Sequence, residues 1–225
     1  MHRGTQATRR SILAGGGAAL AAGAFALPVT LLAPGPAHAQ HYSLDKLLAK
    51  NDLPDIWLGS EKAPVTIVEY ASMTCGHCAS FHAGTFKKLK TDYIDTGKVR
   101  MTVREFPFDP LAMAAFMLAR CEGPAKRSAM IDHLFATQRT WAFSKKPLEA
   151  LINVTRQAGV SQENFEKCLK DRTLYEKITA IRNAGEQTFK VTSTPTFFVN
   201  GTRLVGDQTI EAFAKIIDPI VASKK

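Results

Sequence analysis

The spacing of apolar and polar positions changes several times along the chain, and each change marks an element. The run Val65-Thr66-Ile67-Val68-Glu69-Tyr70-Ala71 is β-branched and apolar enough to predict a strand buried on both faces. Val65, Ile67 and Glu69 share one side of it, and Thr66, Val68 and Tyr70 the other. After Ser72-Met73-Thr74 the period becomes helical: Phe81, Phe86 and Leu89 give an apolar side that continues to Tyr93, and Gly97 is placed to end the helix. Residues 98–106 alternate again, with Val99, Met101 and Val103 on one side, which predicts the second parallel strand of a βαβ unit.

Residues 108–190 read as helical throughout, about five helices in all. The unbroken apolar run at 111–119 predicts a buried helix. Met130, Leu134 and Trp141 belong to the next pattern, Leu148, Leu151 and Ile152 follow Pro147, and Phe165, Cys168 and Leu169 follow Ser161 as N-cap. Leu174, Ile178 and Ile181 mark the last. Beyond them, residues 196–200 and 203–205 flank an Asn-Gly turn and predict an antiparallel hairpin. Ile210, Phe213, Ile217 and Ile220 predict a closing helix despite Pro219. Residues 40–63 are short in period, and Ile56-Trp57-Leu58 predicts an edge strand before a Gly59-Ser60 turn. Five segments result: 1–39, a 40–59 extension, 60–107, the helical 108–190, and 191–225.

Composition adds that 45% hydrophobic residues suffice for a packed core. Charge changes the picture more. Residues 1–39 contain three arginines and no acid, then an uncharged Gly/Ala/Leu-rich stretch, then Pro34-Gly35-Pro36-Ala37-His38-Ala39. These are the three parts of an export signal, with cleavage expected after Ala39. Thr8-Arg9-Arg10-Ser11-Ile12-Leu13 is similar to a twin-arginine signal, and an uncleaved membrane anchor is the alternative. Without the segment, the formal charge falls from +9 to about +6. Lys87, Lys88 and Lys90 lack interleaved aromatics and read as a solvated helix face, so no nucleic-acid partner is expected.

The candidate chemistry lies where the first strand ends, at Cys75-Gly76-His77-Cys78. A cysteine at a helix N-terminus meets unpaired backbone N–H groups and a partial positive charge, both of which favour its thiolate. Cys75 is thus the candidate nucleophile, and Cys78, one turn on, the resolving thiol. A protonated or hydrogen-bonding His77 would stabilise the thiolate and raise the potential. A zinc site would need two further ligands, and no second CxxC or HxxxH exists; no metal or other cofactor is expected. The second signal is Val191-Thr192-Ser193-Thr194-Pro195-Thr196-Phe197-Phe198-Val199-Asn200-Gly201, with a Thr-Pro at the mouth of a strand. Glu69 occupies a central strand where a carboxylate is costly, so it either serves the site or pairs with a lysine. His82 and His133 read as ordinary helix residues. Cys121 and Cys168 both fall on inward-facing helix positions.

Taken together, the CxxC, the helical insertion and Thr194-Pro195 resemble the DsbA-like thiol-disulfide oxidoreductases of bacterial cell envelopes, within the thioredoxin superfamily. The resemblance covers about residues 60–222. It implies an α/β thioredoxin fold with a large all-helical insertion between the βαβ unit and the cis-proline hairpin. By the same resemblance Cys75 is the attacked sulfur, Cys78 its buried partner, and His77 the histidine that holds the thiolate. Glu69 is the buried acid that serves Cys78, and Pro195 is the cis-proline that presents Thr194 to substrate. Gly76 replaces the proline common in strong oxidases, and Gly-His also occurs in disulfide isomerases. Some members carry a second, structural disulfide, here Cys121 with Cys168, the alternative being two inert buried thiols.

The implied function is a periplasmic dithiol oxidase acting as a monomer on reduced or unfolded exported proteins. A DsbB-type membrane quinone reductase would reoxidise it. A disulfide isomerase or reductant is the nearest rival. A copper- or zinc-binding module using Cys75, His77 and Cys78 is a more distant one, which leaves Thr194-Pro195 without a role.

Overall fold

The structure, a computed structural model, describes residues 41–224; the expected export segment and its cleavage after Ala39 lie outside the described residues. A four-stranded mixed sheet organises it, in the order β2-β1-β3-β4. β1 (Val65–Ala71) and β2 (Val99–Glu105) are parallel, with Val65 opposite Val99. β3 (Thr196–Val199) runs antiparallel to β1, with Ile67 opposite Val199, and β4 (Thr202–Val205) antiparallel to β3. The Asn-Gly turn between β3 and β4 has positive φ at both residues, 44° and 90°, the conformation that selects this dipeptide. A side chain at Gly201 would collide with the Tyr42 carbonyl.

The alternation along β1 divides the core. Val65 and Ile67 pack with Phe81, Phe86, Phe197 and Phe213 under the helices that follow the cysteines and close the chain. Val68 and Tyr70 face the larger cluster built with the insertion. Within the βαβ unit the two strands form where their patterns predict, and the helix departs from its pattern. The helix after the cysteines is not continuous to Tyr93. It consists of α2 (Gly76–Ala83), a break at Gly84, α3 (Thr85–Leu89) and one π-helical turn at Lys90–Ile94, after which Gly97 takes a φ of 75°. Glycine is the poorest non-proline helix former in the segment, and the break falls on it.

The edge strand expected at Ile56-Trp57-Leu58 is also reduced, to one bridge in which Leu58 and Met101 exchange backbone hydrogen bonds. The Ile56 carbonyl instead accepts from the Thr102 hydroxyl at 2.9 Å, and Arg100 stacks over Trp57. Side chains of β2 therefore take the bonds that a ladder would have used. The same N-terminal segment, including α1 (Leu44–Leu47), buries the polar side of β2. Arg104 bonds Asp55, the Leu47 carbonyl and the Tyr70 hydroxyl.

The insertion holds α4 (Pro110–Cys121), α5 (Pro124–Ala136), the one-turn α6 (Gln138–Trp141), α7 (Pro147–Gln157), α8 (Gln162–Leu169) and α9 (Arg172–Gln187). Three of them begin with a proline, where the missing N–H costs nothing. Asp109, Ser161 and Asp171 cap α4, α8 and α9 with side-chain oxygens. Cys121 and Cys168 form a disulfide that ties α4 to α8 and closes 47 residues of sequence. On the chain-entropy account such a loop contributes about 4 kcal/mol. Glu105, at the end of β2, is fully buried between Arg120 and Arg127. Burial alone would raise its carboxyl pKa, but the two guanidinium groups bring it to about 2. α10 (Ile210–Ala222) closes the fold with Pro219 inside it.

Candidate active site

β1 is followed by a tight turn in which the Cys75 N–H donates to the Ser72 carbonyl, and Cys75 then caps α2. Its extended backbone points the first-turn N–H groups of the helix toward its own sulfur. The two thiols are unbonded and unequal: Cys75 is half-buried and Cys78 fully buried. A hydrogen bond from Cys78 is the largest influence on Cys75. Burial opposes it, and the Thr194 side chain and the backbone N–H groups of Cys78 and His77 reinforce it. The Cys75 thiol falls from an ordinary 9.0 to about 5. Cys78 moves the other way, through burial first, then its bond to Cys75 and the negative charge of Glu69.

The opposite wall comes from the far end of the chain. Thr194–Pro195 is a cis peptide leading into β3, and the Cys75 Sγ lies 3.2 Å from the Thr194 carbonyl oxygen. Antiparallel pairing of β3 with β1 is what carries this loop to the cysteines. Gly76 and His77 are exposed on the first turn of α2. A Cβ at Gly76 would meet nothing within 4 Å, so the site leaves room for a larger residue there. The His77 imidazole makes no hydrogen bond among the described residues; its contribution to the thiolate is its backbone N–H.

Glu69 is completely buried, and its partner is His82 rather than a lysine: the imidazole Nε2 lies 3.0 Å from Oε2. Glu69 Oε1 has no hydrogen-bond partner among the described residues. His82, read from the sequence as an ordinary helix residue, is thus tied to the acid beneath the cysteines. Burial works against its charged form, yet Glu69 and Asp132 raise its pKa to about 9. The available signal was spacing, since His82 follows Cys78 by four residues and so shares its helix face.

Two further contacts had no sequence signal. Gln138, buried on α6, donates its amide to the carbonyls of Met73 and Cys75 at 2.8 and 2.9 Å. The Thr74 hydroxyl donates to Asp109, the residue that caps α4. His133, read as an ordinary helix residue, lies 3.1 Å from the Val154 carbonyl. Among the described residues no group of three His, Cys, Asp or Glu side chains is arranged to hold a metal ion.

A half-buried cysteine of low pKa, a buried cysteine of high pKa and a cis-proline loop beside them form a pair that can exchange a disulfide with an external thiol. The thioredoxin family model matches residues 51–219. Among curated relatives, proteins of Rickettsia felis and Rickettsia bellii, both provisionally named protein-disulfide oxidoreductases, are each 35% identical, over 181 and 182 residues. Each match covers 80% of this chain, with 65% and 70% of the respective relative. The chain therefore spans about two thirds of the length of these proteins. The crystal structure of α-DsbA1 from Wolbachia pipientis superposes with a TM-score of 0.73 at 29% identity, covering 80% of this chain and 96% of that one. The chain belongs to the thioredoxin family, in its DsbA-like branch of thiol–disulfide oxidoreductases with a helical insertion.

Proposed function

We propose that the protein is a dithiol oxidase that introduces disulfides into exported proteins in the periplasm. The observation that carries this reading is the opposed behaviour of the two thiols, Cys75 lowered to about 5 and Cys78 raised. A thiol that is a stable thiolate in the reduced enzyme is a good leaving group, and whatever stabilises the reduced form makes the disulfide form more oxidising. A substrate thiolate attacks Cys75 of the Cys75–Cys78 disulfide, the bond to Cys78 breaks, and Cys78 leaves with the electron pair. A second substrate thiolate then attacks the substrate sulfur of the mixed disulfide, releasing oxidised substrate and the Cys75 thiolate.

In this reading the Thr194–Pro195 loop receives an extended substrate segment alongside Cys75. Glu69 exchanges the proton of Cys78, and His77 adds charge near the thiolate when protonated. Residues 1–39 direct export, and reoxidation falls to a membrane quinone reductase of the DsbB type, with the protein acting as a monomer. Gly76-His77 favours a second reading of the same site, a disulfide isomerase or reductant that is held reduced.

Exchange itself is tested with reduced Cys78→Ser, mixed with an unfolded one-cysteine protein whose thiol is activated as its thionitrobenzoate disulfide. A covalent adduct that dissociates under dithiothreitol on a gel is expected. No adduct would remove both redox readings, and metal retained stoichiometrically through Cys75 would replace them.

A further inference from the structure

Glu69 and Cys78 are both fully buried, the charge of Glu69 acts on the Cys78 thiol, and the structure gives Glu69 a route to solvent. His82 lies between them and the surface on α2, one turn after Cys78. Its Nε2 is 3.0 Å from Glu69 Oε2 on one side, and its Nδ1 is 3.6 Å from Asp132 Oδ1 on the other. The exposure changes stepwise along this line. Glu69 is fully buried, the His82 side chain is 3% exposed, and the Asp132 side chain on α5 is 51% exposed. A cavity of about 10 Å³, bordered by His82, Ser128 and Asp132, adjoins the ring; this is close to the room one water needs.

The ring is also held in place. Phe135 of α5 stacks on it with centroids 4.4 Å apart, and Phe86 of α3 lies at 4.7 Å. The charged and titratable groups around His82 are Glu69 from β1, Cys78 from its own helix, and Asp132 and Arg127 from α5. Arg127 is committed to Glu105 and the Val103 carbonyl. Met101 and Val103 of β2 present only apolar side chains to this cavity.

We infer that His82 and Asp132 complete a proton relay, Asp132–His82–Glu69, that connects the buried Cys78 sulfur to solvent during disulfide exchange. The inference rests on the thiol-exchange reading of Cys75 and Cys78. When an external thiolate attacks Cys75, the Cys75–Cys78 bond breaks and Cys78 leaves with the electron pair into a site that disfavours its charge. Protonated His82 passes its proton to the Glu69 carboxylate, Glu69 hands it on to the departing Cys78 sulfur, and solvent at Asp132 reprotonates His82. The bond formed joins Cys75 to the attacking sulfur. The net proton comes from water, and no further oxidant or reductant enters. His82 acts through Glu69 and is a positioning and relay residue, not one that touches the reacting sulfurs.

The test is the rate at which dithiothreitol reduces the disulfide form, measured from pH 5 to 10 for the unaltered protein, His82→Gln and Asp132→Asn. Taking the ratio of variant to unaltered rates cancels the ionisation of the reductant. For His82→Gln the ratio is expected to be one tenth or less near pH 7. It should rise toward one above about pH 9, where His82 of the unaltered protein also loses its proton. Alkylation of reduced Cys75 should keep its midpoint near pH 5 in both variants. Asp132→Asn, at an exposed position, should move the alkaline transition to lower pH, and it carries the test if His82→Gln fails to fold. A ratio near one at all pH values, a deficit independent of pH, or an unmoved transition in Asp132→Asn would overturn the relay. Absence of any exchange in the unaltered protein would instead overturn the redox reading beneath it.

Discussion

Cys78 sets the chemistry of Cys75 more than any other group, because its thiol is the strongest hydrogen-bond donor to the Cys75 sulfur. Removing that donor should therefore raise the Cys75 titration, whereas a hydroxyl in the same place should hold it down. Iodoacetamide alkylation against pH is expected to give a midpoint near 5 for the reduced protein, well above that for Cys78→Ala, and between the two for Cys78→Ser. Equal midpoints in all three would show that the helix N-terminus alone sets the thiolate. The sign of the linkage follows. A depressed thiol pKa stabilises the reduced fold fully above the ordinary value near 9, and that contribution is lost as pH falls through about 5. At this scale the chain announces its paired chemistry but not its neighbours. Cys75 and Cys78 are legible from a spacing of three, and Glu69 from the cost of an acid in a buried strand. His82 and Gln138 meet the site only because distant elements pack against it, and a lone histidine or glutamine in a helical pattern carries no mark of its partner.

Among the elements, the one-turn α6 has an influence out of proportion to its length. Through Gln138 it supplies the hydrogen-bond donor for the two carbonyls of the turn that aims Cys75, so the insertion anchors the thioredoxin-like part at its reactive point. Replacing Gln138 with Leu leaves both acceptors without that amide. It should destabilise the protein by about 1–3 kcal/mol and raise the Cys75 titration. Urea midpoints and the alkylation profile of the variant check both halves of this expectation, and a change in stability alone would confine Gln138 to packing. Most elements were readable because their periods are long and their caps explicit, as with Ser161, Pro147 and the Asn200-Gly201 turn. The departures came where tertiary contacts override a local pattern. Thr102 captured the Ile56 carbonyl and reduced an edge strand to one bridge, and Gly84 split a helix whose apolar side runs on.

For the molecule as a whole, the sheet order brings the two ends of the described chain to one site, the cysteines after β1 and the cis-proline before β3. The insertion covers one face of the sheet and reaches back to the same turn. The architecture thus serves to hold a stable thiolate above a buried, protonated partner. In the proposed function that arrangement stores its free energy in the reduced form, and the disulfide form acts as an oxidant. The measurement that tests this most directly is the reduction potential of the Cys75–Cys78 couple, equilibrated in glutathione buffers at neutral pH. The account predicts a value near about −120 mV, the strongly oxidising end of the superfamily range, and a value near about −270 mV, typical of thioredoxin, would contradict it.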